Sequence, residues 1–310
     1  MKNTPPATRF LGPRYWLIWT GFGLLWCINH LPYSWQMTSG KWLGRILYYL
    51  LVRRKRIARI NLRLCFPDLS AQERQAILKR HFESLGIMVI EIGLSWWTSA
   101  GMLKQLVTIE GIEHLEKARA GGKGAILIAA HFTTLEISGP MLSIFTPVYA
   151  MYRRHENPLI NNAMEHGRKR HLKNIIPRED IRTMLRTLKN GEVVWYATDQ
   201  GYRGKLSVLA PFFGVPATAN TATSRIAKAS GAAILPFVTY RRDDNSGYLM
   251  KISPPLEDFP SDDPEKDALR INKIIEAQVI EHPEQYYWVH RRFKLRDKRS
   301  HDVYDAADIL

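Results

Sequence analysis

The sequence contains few of the residues and motifs that mark common enzyme classes. Only two cysteines, Cys27 and Cys65, occur in 310 residues, and they show neither a disulfide framework nor the spacing of a zinc site. No GxSxG motif predicts a hydrolase serine, and no HExxH motif predicts a metalloprotease site. The glycines of residues 121–124 precede a strand instead of opening a helix, which argues against a dinucleotide site. We therefore expect no metal and no bound cofactor.

Negative charge is also scarce. The chain has 44 Lys and Arg residues against 29 Asp and Glu, for a formal net charge of +15. Such an excess indicates an anionic partner, which can be nucleic acid, anionic lipid or an acidic substrate. The basic residues cluster at 53–63, 168–170 and 291–299. Because no helix-turn-helix, zinc-finger or RNP-type signature is present, nucleic acid is not the expected partner.

One long stretch near the N-terminus has no formal charge. Residues 15–31 are rich in Trp, Leu and Ile, and they just reach the lower length limit for a helix that crosses a bilayer. The basic residues that follow at 53–56 favour a cytoplasmic location for the remainder. We expect residues 1–40 to be a membrane anchor, spanning or interfacial, and residues 41–310 to be a cytoplasmic domain. A buried soluble helix is the alternative.

Downstream, the pattern predicts an α/β domain. Ser70 and Glu73 form a capping box, which predicts a helix running towards Trp97. From about Val107, short strands alternate with helices, which indicates a central mixed, mostly parallel sheet flanked by helices. The predicted strands are 107–111, 125–130, 147–152, 191–197, 231–240 and 248–253. The predicted helices are 113–120, 157–173, 181–188 and 267–281.

A histidine follows one of these strands directly. His131 comes just after the apolar run 125–130, and Glu136 lies five residues further on. The carboxyl ends of strands are where open α/β sheets bind ligands. A carboxylate that folds back across the strand-to-helix turn can orient the imidazole while the other ring nitrogen accepts a proton. Without a protein nucleophile, this pattern favours direct attack by a substrate hydroxyl on an activated acyl group such as a thioester, with His131 as general base.

The residues 131–136, HFTTLE, resemble the HX4(D/E) motif of the glycerolipid acyltransferase superfamily. More specifically, the chain resembles the late acyltransferases of lipid A biosynthesis, above all the lauroyl type. Matching segments lie at 13–17, 61–67, 152–160, 189–200, 211–215 and 283–294. The motif alone is unspecific, but the order and spacing of these segments are specific. The resemblance covers nearly the whole chain.

This resemblance implies an activity. Members of the family transfer a fatty acyl chain from acyl carrier protein to Kdo-lipid IVA, a tetraacylated lipid A precursor that bears Kdo sugars. They act on the cytoplasmic face of the Gram-negative inner membrane. The donor protein is acidic and the acceptor carries phosphates and carboxylates, so the resemblance accounts for the charge of +15. Anionic lipid of the inner membrane is a further expected partner.

The resemblance also implies site residues. His131 matches the base of the family and Glu136 its carboxylate partner. We expect substrate-binding roles for five further residues: Arg153, Asn157, Arg168, Arg170 and Asp199. Arg153 is expected near the oxyanion or a substrate phosphate, whereas Asn157 can instead cap the next helix. Asp199 is expected to orient one of the arginines.

The sequence departs from the family pattern at one place and leaves alternatives open. The family commonly has Asp-(Gln/His)-Asp-Tyr-Gly where this chain has DQGYR at 199–203, so a second carboxylate is replaced by Gly201. The acceptor can be another glycolipid or a lysophospholipid. A more remote alternative is a basic, membrane-associated binding protein without enzymatic activity, in which His131 is structural.

Overall fold

The structure, a computed structural model, describes residues 10–200, 207–294 and 302–305. Its strands are β1 (Val107–Glu110), β2 (Ala125–Ala129), β3 (Val148–Tyr152), β4 (Asn174–Pro177), β5 (Val193–Ala197), β6 (Ser207–Leu209), β7 (Thr218–Asn220), β8 (Ala233–Arg241) and β9 (Tyr248–Ile252). Its helices are α1 (Trp16–Asn29), α2 (Tyr33–Leu50), α3 (Val52–Cys65), α4 (Ala71–Trp97), α5 (Ala100–Gln105), α6 (Ile112–Arg119), α7 (Leu135–Leu142), α8 (Pro158–Lys169), α9 (Ile181–Lys189), α10 (Ala222–Ser230) and α11 (Pro264–Glu281).

Seven strands form the central sheet, in the order β1-β9-β8-β2-β5-β3-β4. β8, β2, β5, β3 and β4 run parallel to one another, β9 is antiparallel to β8, and β1 is parallel to β9. The prediction of a mixed, mostly parallel sheet flanked by helices is therefore confirmed. β6 and β7 pair separately as a two-stranded antiparallel sheet.

The middle strand β2 shows why the apolar run in the sequence folds as it does. All five of its residues are buried. Ile126 and Ile128 belong to the hydrophobic cluster on one face of the sheet, and Leu127 to the cluster on the other face. A parallel strand that is covered by helices on both sides needs apolar residues at every position instead of an alternating pattern. Because β2 is the fourth of the seven strands, its carboxyl end lies at the centre of the sheet edge.

Helix α4 begins at the capping box that the sequence predicts. The Ser70 hydroxyl accepts a hydrogen bond from the Glu73 backbone N–H at 3.2 Å, and the Glu73 carboxylate accepts one from the Ser70 N–H at 2.7 Å. Helix α2 packs closely along α4. A Cβ atom added at Gly44 would lie 2.1 Å from the Phe82 carbonyl oxygen, and one at Gly86 would lie 2.1 Å from the Gly40 carbonyl oxygen. The backbones can approach this closely only because glycine stands at the crossing.

The N-terminal segment differs from the sequence expectation. In the described ranges, no helix combines the length and the apolar character that crossing a bilayer requires, so a spanning anchor helix is not supported. Helix α1 has 14 residues and is about 21 Å long at 1.5 Å per residue. It ends at Asn29, and Pro32 precedes α2, which already carries Lys41 and Arg45. The proposed division at residue 40 stays a prediction, although that position lies inside α2.

Several elements of the described chain are absent from the sequence expectation. The predicted helix 157–173 ends as α8 at Lys169, and the edge strand β4 follows. Among the described strands β4 pairs with β3 alone, and its sequence, NIIP, has no alternation of apolar and polar residues that would indicate a strand. The β6–β7 pair and helix α10 were also not predicted. Gly201, Tyr202 and Arg203, where the sequence departs from the family pattern, lie outside the described residues.

Candidate active site

The site lies at the carboxyl ends of the neighbouring parallel strands β2 and β5. Ala129 and Ala197, the last residues of these strands, are direct partners in the register. The backbone continues the pairing for one more residue, since Thr198 N–H donates to the Ala129 carbonyl at 3.0 Å. His131 and Asp199 each follow the paired residue by two positions. The register therefore brings the two side chains to the same level of the sheet edge.

His131 and Asp199 form a close hydrogen-bonded pair. The imidazole Nδ1–H donates to Asp199 Oδ1 at 2.5 Å, and the His131 backbone N–H donates to the same oxygen at 3.0 Å. The second carboxylate oxygen, Oδ2, accepts a hydrogen bond from the Tyr286 hydroxyl at 2.9 Å. Because Nδ1 carries the proton in this arrangement, Nε2 has the free lone pair. This is the tautomer that a general base needs.

The Asp199 carboxylate is ionised although it is buried. Its exposed fraction is 3%. Burial by itself raises the pKa of Asp199, but the adjacent His131 and the hydrogen bonds from His131 and Tyr286 lower it to about 2. A buried carboxylate in contact with an imidazole stabilises the positive charge that forms when the ring accepts a proton. The His131 side chain itself is 26% exposed, so solvent or substrate can reach it.

Glu136 has a different partner from the one that the motif suggests. The residue lies in the first turn of α7, where its carboxylate meets the end of α8. Arg168 donates to Glu136 from Nε at 3.0 Å and from Nη2 at 2.6 Å. Among the described residues, no hydrogen bond or ion pair joins Glu136 to His131. The structure thus brings His131 together with Asp199, and Glu136 together with Arg168.

Comparison with known proteins identifies the family of the chain. A family model for bacterial lipid A biosynthesis acyltransferases matches residues 4–295. The chain is 39% identical to the lipid A biosynthesis lauroyltransferase of Escherichia coli K12 over 96% of its length and 97% of the relative. It is 40% identical to the palmitoleoyltransferase of the same organism, with the same coverage, and 36% identical to a lipid A biosynthesis acyltransferase of Haemophilus influenzae, with 96% of each chain covered.

The chain belongs to the bacterial lipid A biosynthesis acyltransferase family. The family match and the lauroyl- and palmitoleoyltransferase relatives confirm the resemblance that the sequence motifs indicate. They support an O-acyltransferase of lipid A biosynthesis.

In this acyltransferase, the other predicted site residues lie around the ends of α8. Arg153, just past β3, has a side chain that is 64% exposed and lies 3.5 Å from Glu156. Asn157 caps α8, since its Oδ1 accepts hydrogen bonds from the N–H groups of the second and third helical residues at 3.0 and 3.3 Å. Arg170 donates from Nη1 to the Trp96 carbonyl at 3.1 Å, which ties the end of α8 to the end of α4. Their substrate-binding roles stay predictions.

The acyltransferase site includes residues that the sequence reasoning did not single out. Tyr286 contacts Asp199, and His290 lies near the same pair, since the charges of Asp199 and His131 both act on it. Burial lowers the pKa of His290 to about 4. Both residues belong to segment 283–294, which carries part of the family resemblance. The sequence therefore indicated that this segment matters, but it did not show which of its residues belong to the site.

Two further features of the acyltransferase bear on ligand binding. An open cavity of about 540 Å³ lies at the carboxyl ends of β3 and β4 and is lined by Arg154, Pro177, Glu179 and Asp180. Its charged lining does not suit a fatty acyl chain.

Among the residues that the structure describes, one group of potential metal ligands lies within 4.8 Å of one another, Asp243, His282 and Glu284. It shares no residue with the His131 pair, and the expected absence of a metal stays a prediction.

Proposed function

We propose that the chain transfers a fatty acyl chain, lauroyl or similar, from acyl carrier protein to a hydroxyl of Kdo-lipid IVA. The observation that carries this proposal is the His131–Asp199 pair at the sheet edge, in a chain 39% identical to a lauroyltransferase. The reaction needs no bound cofactor, because the thioester of the donor is already activated. It also needs no acyl-enzyme, because the acceptor hydroxyl can attack directly.

The geometry suits general base catalysis by His131. Nε2 accepts the proton of the acceptor hydroxyl as its oxygen attacks the thioester carbonyl carbon. The tetrahedral intermediate then collapses, the C–S bond breaks, and the imidazolium returns the proton to the departing sulfur. Asp199 keeps the proton on Nδ1 before the reaction and stabilises the imidazolium during it, as the carboxylate of a serine protease triad does.

Glu136 and Arg168 act as a second unit in this proposal. Their bidentate contact joins the start of α7, directly after the His131 loop, to the end of α8. We assign Glu136 the task of holding the Arg168 guanidinium in place, since both its oxygens are engaged there. Arg168 and the exposed Arg153 supply positive charge for the phosphates of the acceptor or for the developing oxyanion.

We further propose that the protein binds the cytoplasmic face of the bacterial inner membrane at the lipid interface. Of the 19 large apolar side chains that are exposed in the described chain, 14 lie within residues 11–52. We call this surface the apolar face; it includes Trp16, Leu17, Trp35, Trp42 and Leu50. A concentrated apolar surface of this kind marks an interaction site.

Charge next to the apolar face fits an anionic bilayer. Residues 53–56 are Arg-Arg-Lys-Arg, directly after Val52, the last residue of the apolar face. Each Lys or Arg near an anionic surface contributes on the order of 1 kcal/mol. Tryptophans and tyrosines at the headgroup level are typical of interfacial segments. This arrangement would keep the active site close to a lipid acceptor.

Mass spectrometry of the acceptor tests the proposed activity. The detergent-solubilised protein is incubated with a pool of acyl-carrier-protein thioesters and Kdo-lipid IVA, in parallel with His131→Ala and with His114→Ala as a matched control in α6. We expect one added acyl mass with wild type and His114→Ala, and no detectable addition by His131→Ala in the time that wild type needs to complete the reaction. Acylation of other lipids alone would keep the chemistry and refute the assigned acceptor. Acylation of Kdo-lipid IVA that His131→Ala retains would refute the mechanism.

Vesicle sedimentation tests the membrane proposal. Leu50→Ser should weaken binding to vesicles that contain anionic lipid, because this side chain is 70% exposed on the apolar face. Ile280→Ser is the matched control, since Ile280 is 61% exposed on α11, outside that face. Equal binding by both variants would contradict the proposed orientation. Equal binding to neutral and anionic vesicles would contradict the role of the basic residues.

A further inference from the structure

The segment after α11 pairs with the loop that carries His131. Residues 285–287 pair with residues 131–133 through two backbone hydrogen bonds. Thr133 N–H donates to the Gln285 carbonyl at 2.7 Å, and Tyr287 N–H donates to the His131 carbonyl at 2.9 Å. Between these contacts, Phe132 and Tyr286 form an antiparallel bridge. The loop that carries His131 is thus held by a segment more than 150 residues away in sequence.

The side chain of Tyr286 points from this segment to Asp199. Its hydroxyl donates to Oδ2 at 2.9 Å, whereas the two hydrogen bonds from His131 both end on Oδ1. The Tyr286 contact therefore holds the oxygen that His131 leaves free. A buried carboxylate needs partners for both oxygens, and with both engaged its plane cannot rotate away from the imidazole.

The chemistry of Tyr286 restricts it to the role of a donor. Burial, together with the negative charge of Asp199, raises the pKa of the phenol well above its usual range. The hydroxyl therefore stays protonated and cannot act as a base. Its ring is fixed by Phe132, Phe212 and Trp288, whose ring centres lie 5.7, 5.9 and 4.8 Å away. The donor is consequently rigid before any substrate binds.

We propose that Tyr286 is a positioning residue for acyl transfer, which holds the Asp199 carboxylate so that His131 presents Nε2 to the acceptor hydroxyl. This inference rests on the proposed function, in which His131 is the general base. Tyr286 does not touch substrate and acts through Asp199. Its loss should therefore affect the chemical step and leave substrate binding unchanged.

Steady-state kinetics of Tyr286→Phe test the inference, because this change removes only the hydroxyl and keeps the ring. We expect kcat to fall about tenfold, the equivalent of one hydrogen bond to a charged group, with KM unchanged for the lauroyl thioester of acyl carrier protein and for Kdo-lipid IVA. Tyr240→Phe is the matched control, since it also deletes one buried phenol hydrogen bond of 2.9 Å, to the Gln278 carbonyl. It should lose similar stability and keep kcat.

A double-mutant cycle and a spectroscopic measurement distinguish positioning from general destabilisation. If Tyr286 acts through Asp199, the variant Asp199→Asn/Tyr286→Phe should be no slower than Asp199→Asn alone. Proton NMR of the full chain in detergent should show a downfield Nδ1–H resonance of His131, assigned by its loss in Asp199→Asn. Tyr286→Phe should shift this resonance, and Tyr240→Phe should not.

The outcomes separate this inference from the proposed function. Wild-type kcat in Tyr286→Phe, or a resonance that it leaves unchanged, would overturn the positioning role while acyl transfer stands. If the wild type transfers no acyl group, the proposed function fails, and the NMR comparison still decides whether Tyr286 orients the pair. If Tyr286→Phe does not fold, 3-fluorotyrosine at position 286 keeps the hydroxyl and changes its donor strength. The resonance must then shift, or the inference is wrong.

Discussion

Two carboxylates stand close to His131 in sequence or in space, and a pair of substitutions identifies the one that acts with it. Asp199→Asn keeps the size of the side chain and removes its charge. Because an amide can donate to Nδ1, the imidazole then favours the tautomer with the proton on Nε2, which cannot accept one. Glu136→Gln makes the matched change at the other carboxylate, whose oxygens contact Arg168.

The contacts set the expected magnitudes. Loss of a general base costs roughly 10²–10⁴-fold in rate, and a wrong tautomer costs about 10⁴-fold in a serine protease triad. We expect His131→Ala and Asp199→Asn each to lose about 10³-fold in kcat, and the double variant to lose little more than either, because the two residues act as a unit. Glu136→Gln should lose about tenfold, since it weakens one ion pair that is partly exposed.

Single-turnover rates with the lauroyl thioester of acyl carrier protein and Kdo-lipid IVA measure these effects. The first double-mutant cycle combines His131→Ala with Asp199→Asn, and the second combines His131→Ala with Glu136→Gln. In the cycle of His131→Ala with Glu136→Gln, the losses should multiply. In a third cycle, Glu136→Gln with Arg168→Gln should be strongly non-additive, since these two side chains bind each other. Two results together would refute the reasoning. Glu136→Gln would lose as much activity as His131→Ala, with no further loss in the double variant, and Asp199→Asn would stay active. Those results would make Glu136 the partner carboxylate, as the HX4E motif suggests.

Three further predictions concern stability. Glu91 and Arg241 form a buried ion pair, 2.8 Å apart, so Glu91→Gln should lower the free energy of unfolding in urea by about 3–5 kcal/mol. The double variant Glu91→Leu/Arg241→Met should recover much of this loss. A small loss in Glu91→Gln would contradict the expected cost of leaving the Arg241 charge uncompensated. Burial lowers the pKa of His81 from 6.5 to about 4. Between these two pH values the unfolded state binds more protons than the folded state, so the protein becomes less stable as the pH is lowered. From pH 7.5 to 5 this contribution is about 2 kcal/mol, and urea titrations of His81→Asn should show that much less acid sensitivity than wild type. Asn157→Ala should lower the free energy of unfolding by about 1 kcal/mol, because α8 loses its cap, and Asn157→Asp should lower it much less, as measured by thermal unfolding. If both variants lost activity at temperatures where they are fully folded, a direct contact of Asn157 with substrate would be favoured.

The elements that local sequence signals specify could be predicted. The apolar run of β2, the capping box of α4 and the strand–helix alternation depend on residues within a few positions of one another, so they are visible in the sequence. The spanning anchor was not supported, because the uncharged run 15–31 shows composition but not the turn before Pro32. The edge strand β4 was missed because its sequence, NIIP, shows no alternation of apolar and polar residues, and its pairing with β3 is not visible in the sequence.

The partner of His131 illustrates what a sequence withholds. Glu136 is five residues away along the chain and Asp199 is 68, so a local pattern favours Glu136. Asp199 carries a signal of its own, since it follows its strand at the same distance as His131 follows β2. That signal becomes decisive only when β5 is known to be the neighbour of β2, whereas consecutive strands are neighbours more often. Here β3 and β4 come between them in sequence, and β5 returns to insert beside β2. The strand order, which long-range packing determines, therefore selects the carboxylate that orients the base.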